Sequence, residues 1–195
     1  MNALAAKAYD LRQDVLDIIV SGGGGHIGGD MSCMEIVLAL YSRMNVSSDR
    51  ADDPDRDRFV LSKGHCVETL YAVLADQGFL NIDEVKEQFS KFGSEYIGHP
   101  HNTLPGIEMN SGSLGHGLSV CVGMALAGKK DKRDYRVYTL MGDGELAEGS
   151  VWEGAMAASH YKLDNLCAVV DRNHLLISGT TEQVMSPGDL GARFS

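Results

Sequence analysis

Three histidines, one aspartate framed by glycines and one asparagine thirty positions later carry the chemistry that this 195-residue chain offers. His26, His65 and His99 stand in "GGHIGG", "SKGHC" and "GHP", tight stretches that can present an imidazole to a cleft. An imidazole so placed can move a proton near neutral pH. Of the other four histidines, His160 and His174 read as surface or structural residues, and His101 and His116 stay open. Asp143 stands in "MGDGELAEG", one residue past an apolar run and between Gly142 and Gly144, where glycine lets the backbone approach a ligand closely. Asn173 follows a second apolar run in "VVDRN". The separation is one strand–helix–strand repeat, which brings both residues to the same edge of a parallel sheet. A carboxylate and an amide oxygen are hard donors, suited to Mg²⁺ or Ca²⁺ and poor for zinc. Mg²⁺ takes few protein ligands and completes its shell with water and phosphate oxygens, so a diphosphate is the natural third party. Read separately, Asp143 is a helix cap and Asn173 a turn residue; their joint placement favours the metal–diphosphate reading.

The elements that must position these residues follow from periodicity. Leu4, Ala8, Leu11, Val15, Ile18 and Ile19 recur at helical spacing over residues 3–20. "DMSCMEIVLALYSRM" predicts a helix capped by Asp30 or Ser32, with Glu35 completing a capping box. "RFVLS" predicts a short buried strand, "GHCVETLYAVLADQGF" a helix ending at Gly78, and "IDEVKEQF" a short polar helix. Residues 93–117 have no period and read as a long loop, a feature usually tied to function or disorder. "LSVCVGMALAG" reads as a buried helix. The last third gives strand "YRVYTLM", a turn at "GDGELAEG", helix "SVWEGAMAASHYK" and strand "NLCAVVD". The helix after the turn would offer its free N–H groups to an anion. The expected architecture is α/β, a mostly parallel sheet with helices on both faces, formed by residues 1–195 as one domain.

Composition narrows the classes. A net charge of −10 argues against a non-specific nucleic-acid binder. No apolar run reaches membrane-spanning length, and the first residues carry charges where a secretory signal needs an apolar stretch. A cytoplasmic protein with no nucleic-acid or membrane partner is expected. Cys33, Cys66, Cys121 and Cys167 form no CxxC pair and lie in apolar patterns, which favours buried free thiols over a metal or disulfide role. "GGGHIG" satisfies the dinucleotide pattern G-x-G-x-x-G, the one feature that supports a nicotinamide-dependent oxidoreductase. The run before it belongs to a helical face and Asp49 lies in a polar loop, so the match reads as accidental. The glycines then give backbone freedom around His26 and a segment prone to disorder.

G-D-G followed some thirty residues later by Asn resembles the thiamine diphosphate fingerprint, and the chain resembles transketolases. "GHIGG", "LSKGH", "GHP", "LPGIEMNSGSLGHGLSVCVGMALA" and "GDGELAEGSVWE" agree in order and spacing across essentially its whole length. It most resembles the diphosphate-binding half of transketolases whose two halves are separate polypeptides.

The resemblance implies a thiamine diphosphate-binding fold and transfer of a two-carbon ketol unit from a ketose phosphate to an aldose. It implies Asp143, Asn173 and the Leu175 carbonyl as ligands of Mg²⁺ or Ca²⁺. Gly144 would donate its N–H to the diphosphate, beside Gly142. Gly112, Ser113 and Leu114 would meet the cofactor, although relatives carry a proline in or near this stretch. His65 would lie by the diphosphate and substrate, and His26 and His99 by the sugar. Glu148, which would also border the cofactor, and Glu153 would fall in a subunit interface. A pyrimidine-binding partner subunit, sugar phosphate substrates and a homodimer or heterotetramer follow from the same likeness. Pentose-phosphate sugars are the default, with a branched or unusual sugar phosphate as the alternative. Relatives continue well past Phe194, so the sheet is expected to end early, through a shortened chain or one that another chain completes. A non-catalytic scaffold subunit is the remaining alternative.

Overall fold

The computed structural model describes residues 3–195. Helix α1 (Ala3–Gly22) buries Ala8, Leu11, Val15 and Ile18, as its spacing predicts, while Leu4 is largely exposed at its start. Gly23, at φ +77°, ends it in a left-handed conformation open to glycine. Helix α2 (Ile27–Tyr41) begins earlier than the capping pattern predicts. Its N-cap is His26, and Asp30 and Ser32 lie inside the helix. Both side chains serve long-range contacts instead, because Asp30 is wholly buried and Ser32 Oγ donates to Asp171 Oδ2. Glu35 pairs with Arg12 of α1 rather than closing a capping box.

Strand β1 (Arg58–Leu61) leads through a short 3₁₀ turn, Gly64–Cys66, into α3 (Val67–Asp76). Gly78 follows at φ +78°, and α4 (Ile82–Gln88) is capped by Asn81 Oδ1 accepting from the N–H groups of Asp83 and Glu84. No helix or strand interrupts the chain from there to α5 (Gly117–Lys130). Strand β2 (Val137–Gly142), helix α6 (Gly149–His160) and strand β3 (Leu166–Asp171) form the expected βαβ unit. A small antiparallel hairpin, β4 (Leu175–Leu176) and β5 (Gly179–Thr180), and two short helices, α7 (Thr181–Val184) and α8 (Leu190–Arg193), complete the described residues.

The main sheet is parallel in the order β1–β2–β3, with Arg58 opposite Val137 and Val137 opposite Leu166. Alternation of side chains sends Phe59, Leu61 and Leu140 into a core shared with α1, α2 and α3. Val60 and Val137 point the other way, onto α5, and Met141 onto α6. Helices thus cover both faces, and the strands read as continuous apolar runs for that reason. Edge strand β3 is less covered. Cys167 is exposed there, unlike Cys33, Cys66 and Cys121, which lie on elements packed into the core.

Candidate active site

The carboxyl ends of β1, β2 and β3 converge on one edge, where parallel sheets hold their ligands. Asp143 lies one residue past β2 and is 2% exposed. Its Oδ1 accepts from the Gly144 N–H at 3.0 Å and its Oδ2 from the His174 N–H at 2.9 Å. It therefore clamps the two strand ends together. Asn173 lies two residues past β3, with Oδ1 accepting from the Leu175 N–H at 2.9 Å and Nδ2 donating to Asp171 Oδ2 at 3.3 Å. The Leu175 carbonyl faces the same turn: a Cβ on Gly144 would sit 3.4 Å from it and 2.6 Å from the Leu176 side chain. Only glycine lets the "GDG" turn nest against the hairpin this closely. Carboxylate, amide oxygen and carbonyl oxygen are a fit donor set for a hard divalent cation that shares its shell with a diphosphate. Among the described residues no three His, Cys, Asp or Glu side chains gather as a metal cage.

A 3₁₀ turn, Gly144–Ala147, separates Asp143 from α6, which begins at Gly149 just past the expected turn. Glu145 pins this turn. It is buried and accepts from the Ser62 hydroxyl, the Gly115 N–H at 2.8 Å and the Gly142 N–H at 3.2 Å. Burial raises its carboxyl, against those donors. Glu148 and Glu153, assigned by resemblance to an interface, are exposed on α6 and just before it.

The three histidines meet. The His26 ring lies 5.3 Å from His65 and 6.3 Å from His99, both edge-on. Gly112 approaches His99, where an added Cβ would meet the ring at 3.2 Å. Ser113 is exposed and Leu114 half-buried just after it, and Gly115 begins the turn into α5 that Glu145 holds. His101 bonds Thr103 and His116 turns to backbone carbonyls of its own loop, so neither joins the cluster. His160 stacks edge-on against Tyr161, and His174 takes a left-handed backbone at φ 64°.

Between the metal-type donors and the histidines lies a group that spacing does not reveal. Lys63, fully buried, donates from Nζ to Asp171 Oδ2 at 2.5 Å and to the Gly29 carbonyl at 3.2 Å. Burial opposes its charge, while the hydrogen bond and charge of the Asp171 carboxylate hold the ammonium protonated. Burial likewise lifts Asp171, yet Lys63, Ser32 and Asn173 hold it below the usual carboxylate range. Asp171 thereby orients Asn173. The one sequence signal is the charged pair inside "LSKGH" and "VVDRN", whose members stand 108 positions apart.

Burial, then Lys63 and the His26 and His99 rings, push His65 down to about 4, against the pull of Asp171. Burial and His26 lower His99 too. His65 is thus a neutral imidazole at working pH, able to accept or relay a proton. A depressed histidine adds stability that is full above its unfolded value of 6.5 and is lost as pH falls toward about 4. Denaturant melts at about pH 7.5 and 4.5 should show a smaller acid loss for His65→Gln than for the wild type. Equal losses would count against this environment.

A concavity of about 710 Å³ opens at the opposite edge of the sheet. Its Arg43, Arg133 and Arg136 are interleaved with Asp55, Asp57 and Asp134, so it offers no single-sign field to a charged ligand.

Residues 4–195 match the family model described as transketolase, thiamine diphosphate binding domain. The chain is 56% identical over 187 residues to a subunit of the apulose-4-phosphate transketolase of Phocaeicola vulgatus, covering 95% of this chain and 66% of that one. It is 41% identical over 183 residues to a 6-deoxy-6-sulfo-D-fructose transketolase subunit of a Clostridium species, covering 93% and 66%. The solved transketolase of Campylobacter jejuni superposes with a TM-score of 0.93 at 30% identity, over 100% of this chain and 32% of that one. The chain therefore spans just under two thirds of the two relatives and about a third of the solved chain.

Proposed function

The chain belongs to the transketolase thiamine diphosphate-binding domain family, and on that premise we propose that it is the cofactor-binding subunit of a two-chain transketolase. Residues 1–195 act in this reading as one diphosphate-binding unit. The observation that carries it is the placement of Asp143 and Asn173 just past the ends of adjacent strands, with the Leu175 carbonyl against the Gly144 turn and with Asp171 and Lys63 linking Asn173 toward the histidine cluster.

Asp143, Asn173 and Leu175 would hold Mg²⁺ or Ca²⁺, and Gly142 and Gly144 would flank the diphosphate. In this structure the Gly144 N–H donates to Asp143 Oδ1, so it would turn to reach a phosphate oxygen. Gly112, Ser113 and Leu114 would border the ring system of the cofactor. Bound thiamine diphosphate supplies the carbanion chemistry that lets a two-carbon ketol unit leave one sugar and join another. The protein's share is to bind, orient and move protons. His26 and His99 would hold sugar hydroxyls and carbonyl oxygen, and neutral His65 would relay a proton beside the diphosphate. Glu148 and Glu153 would meet a second protein chain.

Likeness to proteins named for apulose 4-phosphate and a sulfosugar supports a specialised sugar phosphate over the ordinary pentose-phosphate donors. The subunit naming of the first of these also supports a separate partner chain, which in this reading binds the pyrimidine and assembles with this chain as a heterotetramer. The three buried thiols suit a reducing cytoplasm, and no helix among the described residues is long and apolar enough to cross a membrane. The test is reconstitution. With an aldose acceptor present, this chain, a pyrimidine-binding chain, thiamine diphosphate and Mg²⁺ together should transfer a two-carbon unit to it from apulose 4-phosphate or xylulose 5-phosphate, and neither chain should do so alone. No transfer from any ketose phosphate in the complete mixture would favour the scaffold alternative.

A further inference from the structure

Glu68 is a carboxyl that the reaction leaves unused and the fold leaves unpaired. It lies in the first turn of α3 at 1% exposure, the one charged residue among the buried residues of that helix. Neither of its oxygens has a hydrogen-bond partner, and neither does Asp30 Oδ2. Asp30, in the first turn of α2, accepts the Thr69 N–H on Oδ1 at 2.9 Å. The two carboxyl groups face each other.

As two anions they would repel, and three buried oxygens would lack donors. One proton resolves this, because an acid can donate its O–H to the other group. Asp30 already receives a backbone N–H and feels the Lys63 cation, so it is the better carboxylate and Glu68 the better acid. Burial first, and then the Asp30 charge, raise the Glu68 carboxyl.

The same carboxyl props the turn that carries His26. A Cβ on Gly25 would sit 2.3 Å from Glu68 Oε1 and 2.7 Å from Ile19 Cγ1, so only glycine admits the carboxyl here. The His26 N–H faces Glu68 without making a hydrogen bond of ordinary geometry. Other titratable neighbours are Tyr71 from α3, which feels Glu68, and the Cys66 thiol, which feels Asp30, while from α1 the apolar Ile19 faces the same turn.

We propose that Glu68 is a positioning residue: as a carboxylic acid sharing its proton with Asp30, it holds the Gly25–His26 turn in the cleft, and its ionisation releases that turn. Folding then retains a proton that the unfolded chain gives up in the ordinary carboxylate range. The stability this supplies is full at low pH and is lost as pH rises to about 8.

The test uses the full chain without substrate or cofactor, so its outcome is separate from that of the proposed reaction. Glu68→Gln keeps a donor for Asp30 and carries no charge. Over this range the wild-type unfolding equilibrium constant should rise relative to the variant's by up to about tenfold per pH unit. The His26 backbone N–H resonance should show a step with the same midpoint in the wild type that Glu68→Gln lacks, and should be displaced at every pH in Glu68→Ala. In the infrared, the wild type should show a carboxylic-acid carbonyl band at neutral pH that disappears by about pH 9, and Asp30→Asn should move its loss to lower pH. Parallel pH curves for the wild type and Glu68→Gln, or a wild-type spectrum without that band, would overturn the proposal.

Discussion

Replacing Asp143 by alanine lowers the affinity for thiamine diphosphate at saturating Mg²⁺ by about a hundredfold or more, read by calorimetry on the assembled two-chain enzyme. Groups that merely orient a metal's ligands are worth roughly ten- to a hundredfold, and Asp143 is the single carboxylate of the donor set. Its oxygens also receive the Gly144 and His174 N–H groups, so the variant loses part of the clamp between β2 and β3. The accompanying stability cost is about 1–3 kcal/mol, and a melting curve separates it from the binding loss. Unchanged affinity would remove Asp143 from the site.

Lys63→Met is the second large effect. Both members of the Lys63–Asp171 pair are buried, and removing the cation leaves a carboxylate with only Ser32 and Asn173 as side-chain donors. Breaking such a pair from one side costs about 3–5 kcal/mol. Asp171 then loses its main hold below the usual carboxylate range, and with it the anchor that orients Asn173. The expected result is a lower denaturation midpoint together with weaker metal-dependent cofactor binding. A midpoint within about 0.5 kcal/mol of the wild type would show that the pair is not the buried brace described. The double variant Lys63→Met/Asp171→Leu should recover much of the stability, since a buried ion pair replaced whole is often neutral, but not the binding.

The features legible in the sequence are those with short-range rules. The apolar runs at residues 137–142 and 166–171 form adjacent parallel strands, the first buried along nearly its whole length and the second, at the sheet edge, only in part. The glycines around Asp143 and the interval to Asn173 place both residues at one sheet edge. "GHIGG", "SKGH" and "GHP" mark the three imidazoles that meet. The start of α2 escapes the capping rule because Asp30 and Ser32 carry capping chemistry but spend it across the fold, on Thr69 and Asp171. Cys167 departs from its expected burial because nothing local says that β3 is the less covered of the two edge strands. Lys63, Asp171 and Glu145 stay hidden for a related reason. A buried charge is recognised by its partner, and those partners lie 108 and 83 positions away in the chain. Glu68 leaves a fainter mark, one acid inside "CVETLYAVLA", without a rule to interpret it.

The glycine run before α2 changes meaning in the same way. A helix, not a strand, precedes it, which removes the dinucleotide-loop reading. Gly23 closes α1, and Gly25 yields room to a buried carboxyl.

The central claim is that this chain holds thiamine diphosphate through a divalent cation at Asp143, Asn173 and Leu175. It is tested most directly by titrating the cofactor into the two-chain assembly with Mg²⁺ present and again after chelation. Saturable binding that requires the metal, at one cofactor per copy of this chain, is the predicted result. Binding of equal strength after chelation, or no saturable binding with Mg²⁺ present, would contradict it.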